Sequence, residues 1–75
     1  MVLPLSKLKS KIVAKILLVE NERLNMKLVE LGIMPGVQLS VQNKAPFKGP
    51  LSILVNGTKV IIRSSEADFI LVETD

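Results

Sequence analysis

The chain contains 75 residues, of which 48% are hydrophobic, and it carries a formal net charge of +3. It has no Cys and no His, which excludes disulfide bonds, zinc clusters of Cys and His, and catalysis by the commonest general base or thiol nucleophile. A chain this short buries only about 60% of its unfolded surface, so its twelve Leu, nine Val and seven Ile must supply the stability. We predict one domain over residues 1–75 and no enzymatic activity.

The first elements are an extended segment and a strand. Residues 3–8 are typical of an extended stretch that ends in one helical turn, with Ser6 as its cap. Residues 11–19 are rich in β-branched and other aliphatic side chains at both odd and even positions, which predicts a strand. Both faces of this strand are apolar except at Lys15, so we expect other parts of the protein to cover both.

A helix is predicted over residues 21–31, because Leu24, Leu28 and Leu31 recur at the spacing of one helix face. We expect these three leucines in the core. Asn21 is a suitable N-cap. At the other end, Gly32 is expected to be a left-handed C′ residue, which would place Ile33 against Leu28 in a Schellman ending.

The remainder of the chain is typical of short strands. Pro35 and Gly36 suit the central positions of a type II turn. Alternating patterns then predict strands over residues 37–42, 51–56, 58–63 and 69–73, with a hairpin turn at Asn56 and Gly57 and a capped turn over residues 64–68. Five short strands bury their inner faces by curling into a small barrel. The predicted fold is therefore mainly β, a five-stranded SH3-like barrel with one α-helix inserted between the first and second strands.

The distribution of charged and apolar residues predicts where the termini lie in the fold and where the protein lies in the cell. Lysines lie near the N-terminus, at Lys7, Lys9, Lys11 and Lys15, whereas acids close the chain, at Glu66, Asp68, Glu73 and Asp75. This separation predicts that the two termini lie close together. No apolar stretch approaches the roughly 20 residues that span a membrane, and lysines follow rather than precede the first apolar residues, unlike a signal peptide. We expect a cytoplasmic protein without direct membrane insertion.

The segment LVELGIMPG at residues 28–36 resembles the L-x-x-L-G-[ILM]-x-P-G signature of the FeoA family. Downstream features agree with the family pattern: an Ala-Pro pair at residues 45–46, an Asn-Gly pair at residues 56–57, and an R-x-x-E-A turn at residues 63–67. The resemblance covers about residues 5–73. It identifies the structural motif residues as Leu31, Gly32, Pro35, Gly36 and Gly57.

The resemblance implies both a fold and a function. FeoA proteins are SH3-like barrels thought to bind the cytoplasmic part of FeoB, a GTP-hydrolysing ferrous-iron permease, and to modulate its activity. The implied protein is a non-enzymatic accessory protein of ferrous-iron uptake, a monomer or a weak homo-oligomer. The same module forms the C-terminal domain of some iron- and manganese-dependent repressors, so a stand-alone relative of that domain is an alternative.

Two large apolar residues lie in predicted loops, where periodicity gives no reason for burial. These are Met34 and Phe47. Exposed apolar patches on a small protein mark partner surfaces, so we predict that the loop after the helix and the Ala-Pro-Phe loop form a docking surface. The candidate partner contacts are Met34, Pro35, Phe47 and Leu28.

Other functions are disfavoured. Ferrous iron is commonly bound by imidazole, thiolate and carboxylate together, and the seven acids are scattered, so we predict no metal site and no cofactor. Glu30 and Glu73 could each offer a metal ion only an isolated carboxylate.

Two binding functions are also disfavoured. A polyproline-binding groove needs Tyr or Trp, and the chain has neither. A small basic barrel could bind nucleic acid through its N-terminal lysines, but with only two aromatic residues and a small basic surplus we do not expect that partner.

Overall fold

The computed structural model describes residues 1–75 as one antiparallel sheet with two helices and a 3-10 turn. The strands are β1 (Val2–Pro4), β2 (Val13–Val19), β3 (Gln38–Lys44), β4 (Leu51–Val55), β5 (Thr58–Ile62) and β6 (Ile70–Glu73). The 3-10 turn is Leu5–Lys7, and the helices are α1 (Glu22–Glu30) and α2 (Ser64–Ala67). The sheet order is β1-β6-β2-β3-β4-β5. No helix is long and apolar enough to cross a membrane.

The mainly β architecture with a helix between the predicted first and second strands is confirmed, but the strand count is six rather than five. The additional strand is β1, which pairs with β6 from Val2 opposite Glu73 to Pro4 opposite Leu71. A three-residue strand that contains a proline shows no alternation, so the sequence pattern did not reveal it. β1 also brings the termini together as predicted, since Thr74 donates its backbone N–H to the Met1 carbonyl at 2.9 Å.

The start of the chain differs from the prediction in its capping. The 3-10 turn follows Pro4 and has no side-chain cap, so the assignment of Ser6 as the cap is wrong. Ser6 lies inside the turn, and its hydroxyl donates to the carboxylate of Asp68, 2.5 Å away at the end of α2. Ser6 thus links the N-terminal turn to a distant part of the chain.

Strand β2 begins two residues later than predicted, because Lys11 has a φ of +68° and turns the chain. A bulge between Ile16 and Leu18 interrupts its pairing with β6. Ala14 and Ile16 are buried, whereas Val13 and Leu18 are exposed. The prediction that both faces are covered is therefore wrong.

The core consists of sixteen buried residues, and all of them are apolar. They come from every strand except β1, from both helices, from the N-terminal turn and from the residues just after that turn and after α1: Leu5, Leu8, Ala14, Ile16, Leu24, Leu28, Ile33, Leu39, Val41, Leu51, Ile53, Val55, Ile62, Ala67, Ile70 and Val72. Because no charged or polar residue is buried, the interior holds no group that is suited to acid–base chemistry.

Helix α1 has the predicted termini. Asn21 accepts a hydrogen bond from the backbone N–H of Leu24 at 2.9 Å, which confirms it as the N-cap. At the other end Gly32 has a φ of +80°, and the backbone N–H of Ile33 donates to the carbonyl of Leu28 at 2.9 Å. This bond, with that from the Gly32 N–H to the Val29 carbonyl at 3.0 Å, defines a Schellman ending.

The predicted turns are also present. Val37 donates its backbone N–H to the Met34 carbonyl at 3.1 Å, which closes the turn that contains Pro35 and Gly36. Asn56 and Gly57 have φ values of +51° and +78°, as a type I′ hairpin turn requires. In α2 the carboxylate of Glu66 accepts the backbone N–H of Arg63 at 3.1 Å, so that Glu66 caps the helix.

Candidate docking surface

The loop after α1 is held tightly against the sheet. Gly36 donates its backbone N–H to the Ile16 carbonyl at 2.8 Å, and Ile16 donates its own to the Val37 carbonyl at 2.9 Å. These two bonds attach the turn to β2, and the Schellman ending fixes its other side. Side chains carried by residues 29–36 therefore project from a well-defined backbone.

Three apolar side chains on this segment are exposed to solvent: Val29, Leu31 and Met34. We call them the helix-exit patch. Leu31 is 55% exposed and Met34 38% exposed, and the neighbouring Pro35 is also exposed. Met26 lies one turn before Val29 and is exposed as well. Apolar surface thus continues from the helix onto its exit loop.

Two predictions about the leucines of α1 are corrected. The periodicity predicts Leu31 in the core, but the helix ends at Glu30 and Leu31 is the C-cap. Its backbone is no longer helical, so its side chain does not continue the buried face of the helix. Leu28 was a candidate partner contact, but its side chain is only 2% exposed. Leu28 lies in the core and accepts the Schellman hydrogen bond from Ile33, so it supports the patch and does not form part of its surface.

The Ala-Pro-Phe loop presents Phe47 to solvent. Gly49 donates its backbone N–H to the Pro46 carbonyl at 3.1 Å, and the two residues between them, Phe47 and Lys48, have φ values of +59° and +58°. This is a type I′ turn built on two residues that disfavour a left-handed backbone. Phe47 is 99% exposed. Strained backbone of this kind persists only where the surroundings impose it, and it is found most often at functional sites.

The two predicted loops do not lie side by side. One precedes β3 (Gln38–Lys44) and the other follows it. A strand of seven residues is about 20 Å long, so the chain separates Met34 from Phe47 by roughly that distance. The candidate surface therefore consists of two apolar anchors at opposite ends of one strand, with Met34 in the helix-exit patch and Phe47 alone at the far end.

Charged side chains outside these anchors are largely unpaired. The chain has one ion pair within 4.0 Å, between Lys27 and Glu66 at 3.5 Å. No group of three or more carboxylates is positioned to hold a metal ion. The surface can therefore offer apolar contacts and isolated charges to a partner.

Comparison with known proteins agrees with this architecture. A family model for the FeoA domain matches residues 3–74. The crystal structure of an iron uptake regulatory protein, FeoA, is 32% identical over 97% of this chain and 96% of its own, with a TM-score of 0.84. FeoA of Stenotrophomonas maltophilia, solved with zinc and described as an SH3 domain protein, is 29% identical over 97% of this chain and 89% of its own, with a TM-score of 0.79.

A manganese-dependent transcriptional repressor shares the fold alone. It is 17% identical over 99% of this chain and 42% of its own, with a TM-score of 0.88. No curated protein sequence matches the chain. The fold defines a small SH3-like domain, which confirms the predicted class. Within that class, the match over nearly the whole length shows that the chain belongs to the FeoA family.

The structure reveals exposed apolar residues that the sequence reasoning did not single out. Leu31 fits the helical pattern of Leu24 and Leu28, which favoured burial, and only the observed end of α1 at Glu30 places Leu31 at the surface. A signal was present in the sequence: Val29 lies about 100° around the helix from Leu28 and outside the spacing of Leu24, Leu28 and Leu31, so the pattern gives no reason for its burial.

Proposed function

We propose that this chain is a non-enzymatic accessory protein of ferrous-iron uptake that binds the cytoplasmic part of a FeoB-like transporter and modulates its activity. Its membership of the FeoA family supports the connection with iron transport. The observation that carries the mode of action is the helix-exit patch, in which Val29, Leu31 and Met34 are exposed on a fixed backbone. The lack of His and Cys and the wholly apolar interior support a role through contact.

The rigidity of the patch favours binding. Ordering a loop upon docking costs free energy for every side chain and backbone segment that becomes immobilised. Here the backbone bonds from Gly36 to Ile16 and from Ile33 to Leu28 hold the segment before any partner arrives. A partner therefore gains the burial of Leu31 and Met34 at a reduced entropic cost.

Phe47 supplies a second anchor. A standard interface buries about 800 Å² on each partner, which corresponds to a patch roughly 30 Å across. Such a patch can include both ends of β3, because the anchors are separated by about 20 Å. Binding energy at interfaces is concentrated in a few large side chains, and a fully exposed Phe at one end of β3 with an exposed Met and Leu at the other fits that pattern.

The proposal is tested by measuring binding to the isolated cytoplasmic portion of a FeoB-like transporter, by calorimetry or biolayer interferometry. The two variants are Leu31→Ser with Met34→Ser, and Phe47→Ser alone. Each buried anchor contributes about 1–2 kcal/mol, so the double variant should bind about 30- to 900-fold more weakly and the single variant about 5- to 30-fold more weakly.

Val2→Thr is the matched control, since it replaces an exposed apolar side chain on β1, which is not adjacent to β3, and keeps a β-branched residue in the strand. It should bind as the parent protein does. If the anchor variants remain folded and bind with parental affinity, the docking surface is not the one proposed. If binding weakens steeply with salt and RNA competes, contacts to phosphates dominate and the nucleic-acid alternative replaces the proposal.

A further inference from the structure

Strand β5 (Thr58–Ile62) leaves one edge of the sheet unpaired, because its only neighbour is β4. The two-residue turn makes Val55 and Thr58 a hydrogen-bonded pair, and such pairs alternate along an antiparallel ladder. The N–H and C=O groups of Lys59 and Ile61 therefore point away from β4. None of the backbone hydrogen bonds outside the regular elements involves them, so these four polar backbone groups have no backbone partner.

The opposite edge of the sheet is different. β1 has three residues and includes Pro4, which has no backbone N–H. Short strands and prolines are common means of protecting an edge from further pairing. β5 is longer and contains no proline, so it is the edge that can accept another strand.

The side chains on the outer face of β5 form a regular pattern. Lys59 and Ile61 of β5 and Arg63, which directly follows the strand with extended backbone, lie at every second position, and all three are exposed, Ile61 to 62%. An apolar side chain thus lies between two cations on the same face. Ile61 and Arg63 also line a surface groove of about 620 Å³, whose other lining residues are Lys48, Pro50, Ser64, Ser65 and Asp68.

The cations around this edge have no acidic partners. Lys48, Lys59 and Arg63 are all absent from the single ion pair of the chain. Asp68, the only acid lining the groove, already accepts a hydrogen bond from the Ser6 hydroxyl. The edge therefore presents open backbone donors and acceptors within a positively charged setting.

We infer that the outer edge of β5 binds an extended, acidic segment of a partner protein, which adds to the sheet as a seventh strand. Backbone hydrogen bonds to Lys59 and Ile61 supply affinity, and alternate side chains of the segment supply specificity. The complementary segment carries acid, apolar and acid at successive alternate positions, opposite Lys59, Ile61 and Arg63. Cross-strand pairs of opposite charge and of apolar groups stabilise such an arrangement.

A second copy of the chain is a poor occupant. It would bring the same Lys59 and Arg63 to the interface, and like charges across a strand pair are destabilising. Lysine on an edge strand is a common device against self-pairing, and it leaves the edge available to a segment of opposite charge. This inference concerns a different surface from the helix-exit patch and does not rest on the proposed function.

The test uses a nine-residue capped peptide with Glu, Ile and Glu at its third, fifth and seventh positions and Thr elsewhere, added to ¹⁵N-labelled protein. We expect amide shift changes centred on Lys59 and Ile61, and slower hydrogen exchange of these two amides. A peptide with Lys in place of Glu should bind at least 10-fold more weakly. The same loss is expected when Lys59→Gln and Arg63→Gln are combined, while Lys7→Gln with Lys9→Gln should change nothing.

The backbone bonds are tested separately. Ile61→Pro removes one outward N–H and leaves the bonds to β4, since proline is tolerated on edge strands in that position; it should reduce binding at least 10-fold. A peptide N-methylated at the paired amides tests the same bonds without altering the protein, should the variant fail to fold. Undiminished binding of the N-methylated peptide, equal binding of the Lys peptide, absence of binding, or shift changes centred elsewhere would each overturn the inference.

Discussion

A Cβ atom placed on Gly49 would lie 2.6 Å from the Cβ of Ala45 and 3.1 Å from the Pro46 carbonyl oxygen. Ala45 and Gly49 thus approach each other across the base of the turn that displays Phe47. The contact involves an atom fixed to the backbone, so it cannot be relieved by a side-chain rotation. Gly49 is required here for space rather than for an unusual φ.

The first prediction follows from this approach. Gly49→Ala should destabilise the protein by about 1–3 kcal/mol, the usual cost of overpacking. Ala45→Gly should restore part of the loss, because it removes the closer of the two contacts but leaves the Pro46 oxygen in place. Chemical denaturation of both single variants and the double variant forms a thermodynamic cycle. Purely additive effects would show that the two residues do not meet.

The second prediction separates two leucines of the same helical pattern. Leu28→Ala should cost about 2–5 kcal/mol, because it opens a cavity beneath the Schellman ending. Leu31→Ala should change the free energy of unfolding by no more than about 0.5 kcal/mol, as expected at an exposed position. Equilibrium unfolding in urea measures both. Equal losses at the two sites would place Leu31 in the core after all.

The contrast between these leucines shows what local patterns can and cannot predict. Asn21 as the N-cap and Gly32 at C′ were predictable, because capping depends on residues a few positions apart. Leu31 was not, since the helical period predicts burial wherever it continues and does not mark the residue at which the helix stops. The end of a helix decides the exposure of its last apolar residue.

The strands likewise have features that neighbouring residues determine and features that only pairing with distant parts of the chain determines. The Asn56–Gly57 hairpin was predictable from two residues. The bulge between Ile16 and Leu18 was not, because it arises from pairing with β6, more than fifty positions away. Likewise, Phe47 was predictable as a loop residue, but only the course of β3 shows that it lies at the opposite end from Met34.

A third prediction concerns metal. Neither chelator nor micromolar ferrous iron should change the melting temperature, because no three carboxylates converge and the chain has neither His nor Cys. A ligand that binds only the folded state raises stability according to its concentration relative to its dissociation constant. Calorimetric scans with and without iron, under reducing and anaerobic conditions, provide the measurement. A rise in melting temperature that chelator reverses would reveal a site that the carboxylate arrangement does not suggest.

The final prediction compares the two type I′ turns of the chain, since one has suitable residues and the other does not. Asn56 and Gly57 readily adopt positive φ, whereas Phe47 and Lys48 do so under strain. Replacing Phe47 and Lys48 with Asn and Gly should raise stability by about 1 kcal/mol, or about 4–8 °C in a domain of this size. Placing Phe and Lys at positions 56 and 57 should lower stability by at least as much, which makes this variant the matched control.

If Phe47 is an anchor, the stabilised variant should also lose affinity for the transporter, so that stability and binding change in opposite directions. A stabilised variant that binds at full strength would show that the strain at Phe47 serves no contact, and a variant that is not stabilised would show that the backbone at residues 47–48 is not left-handed in solution.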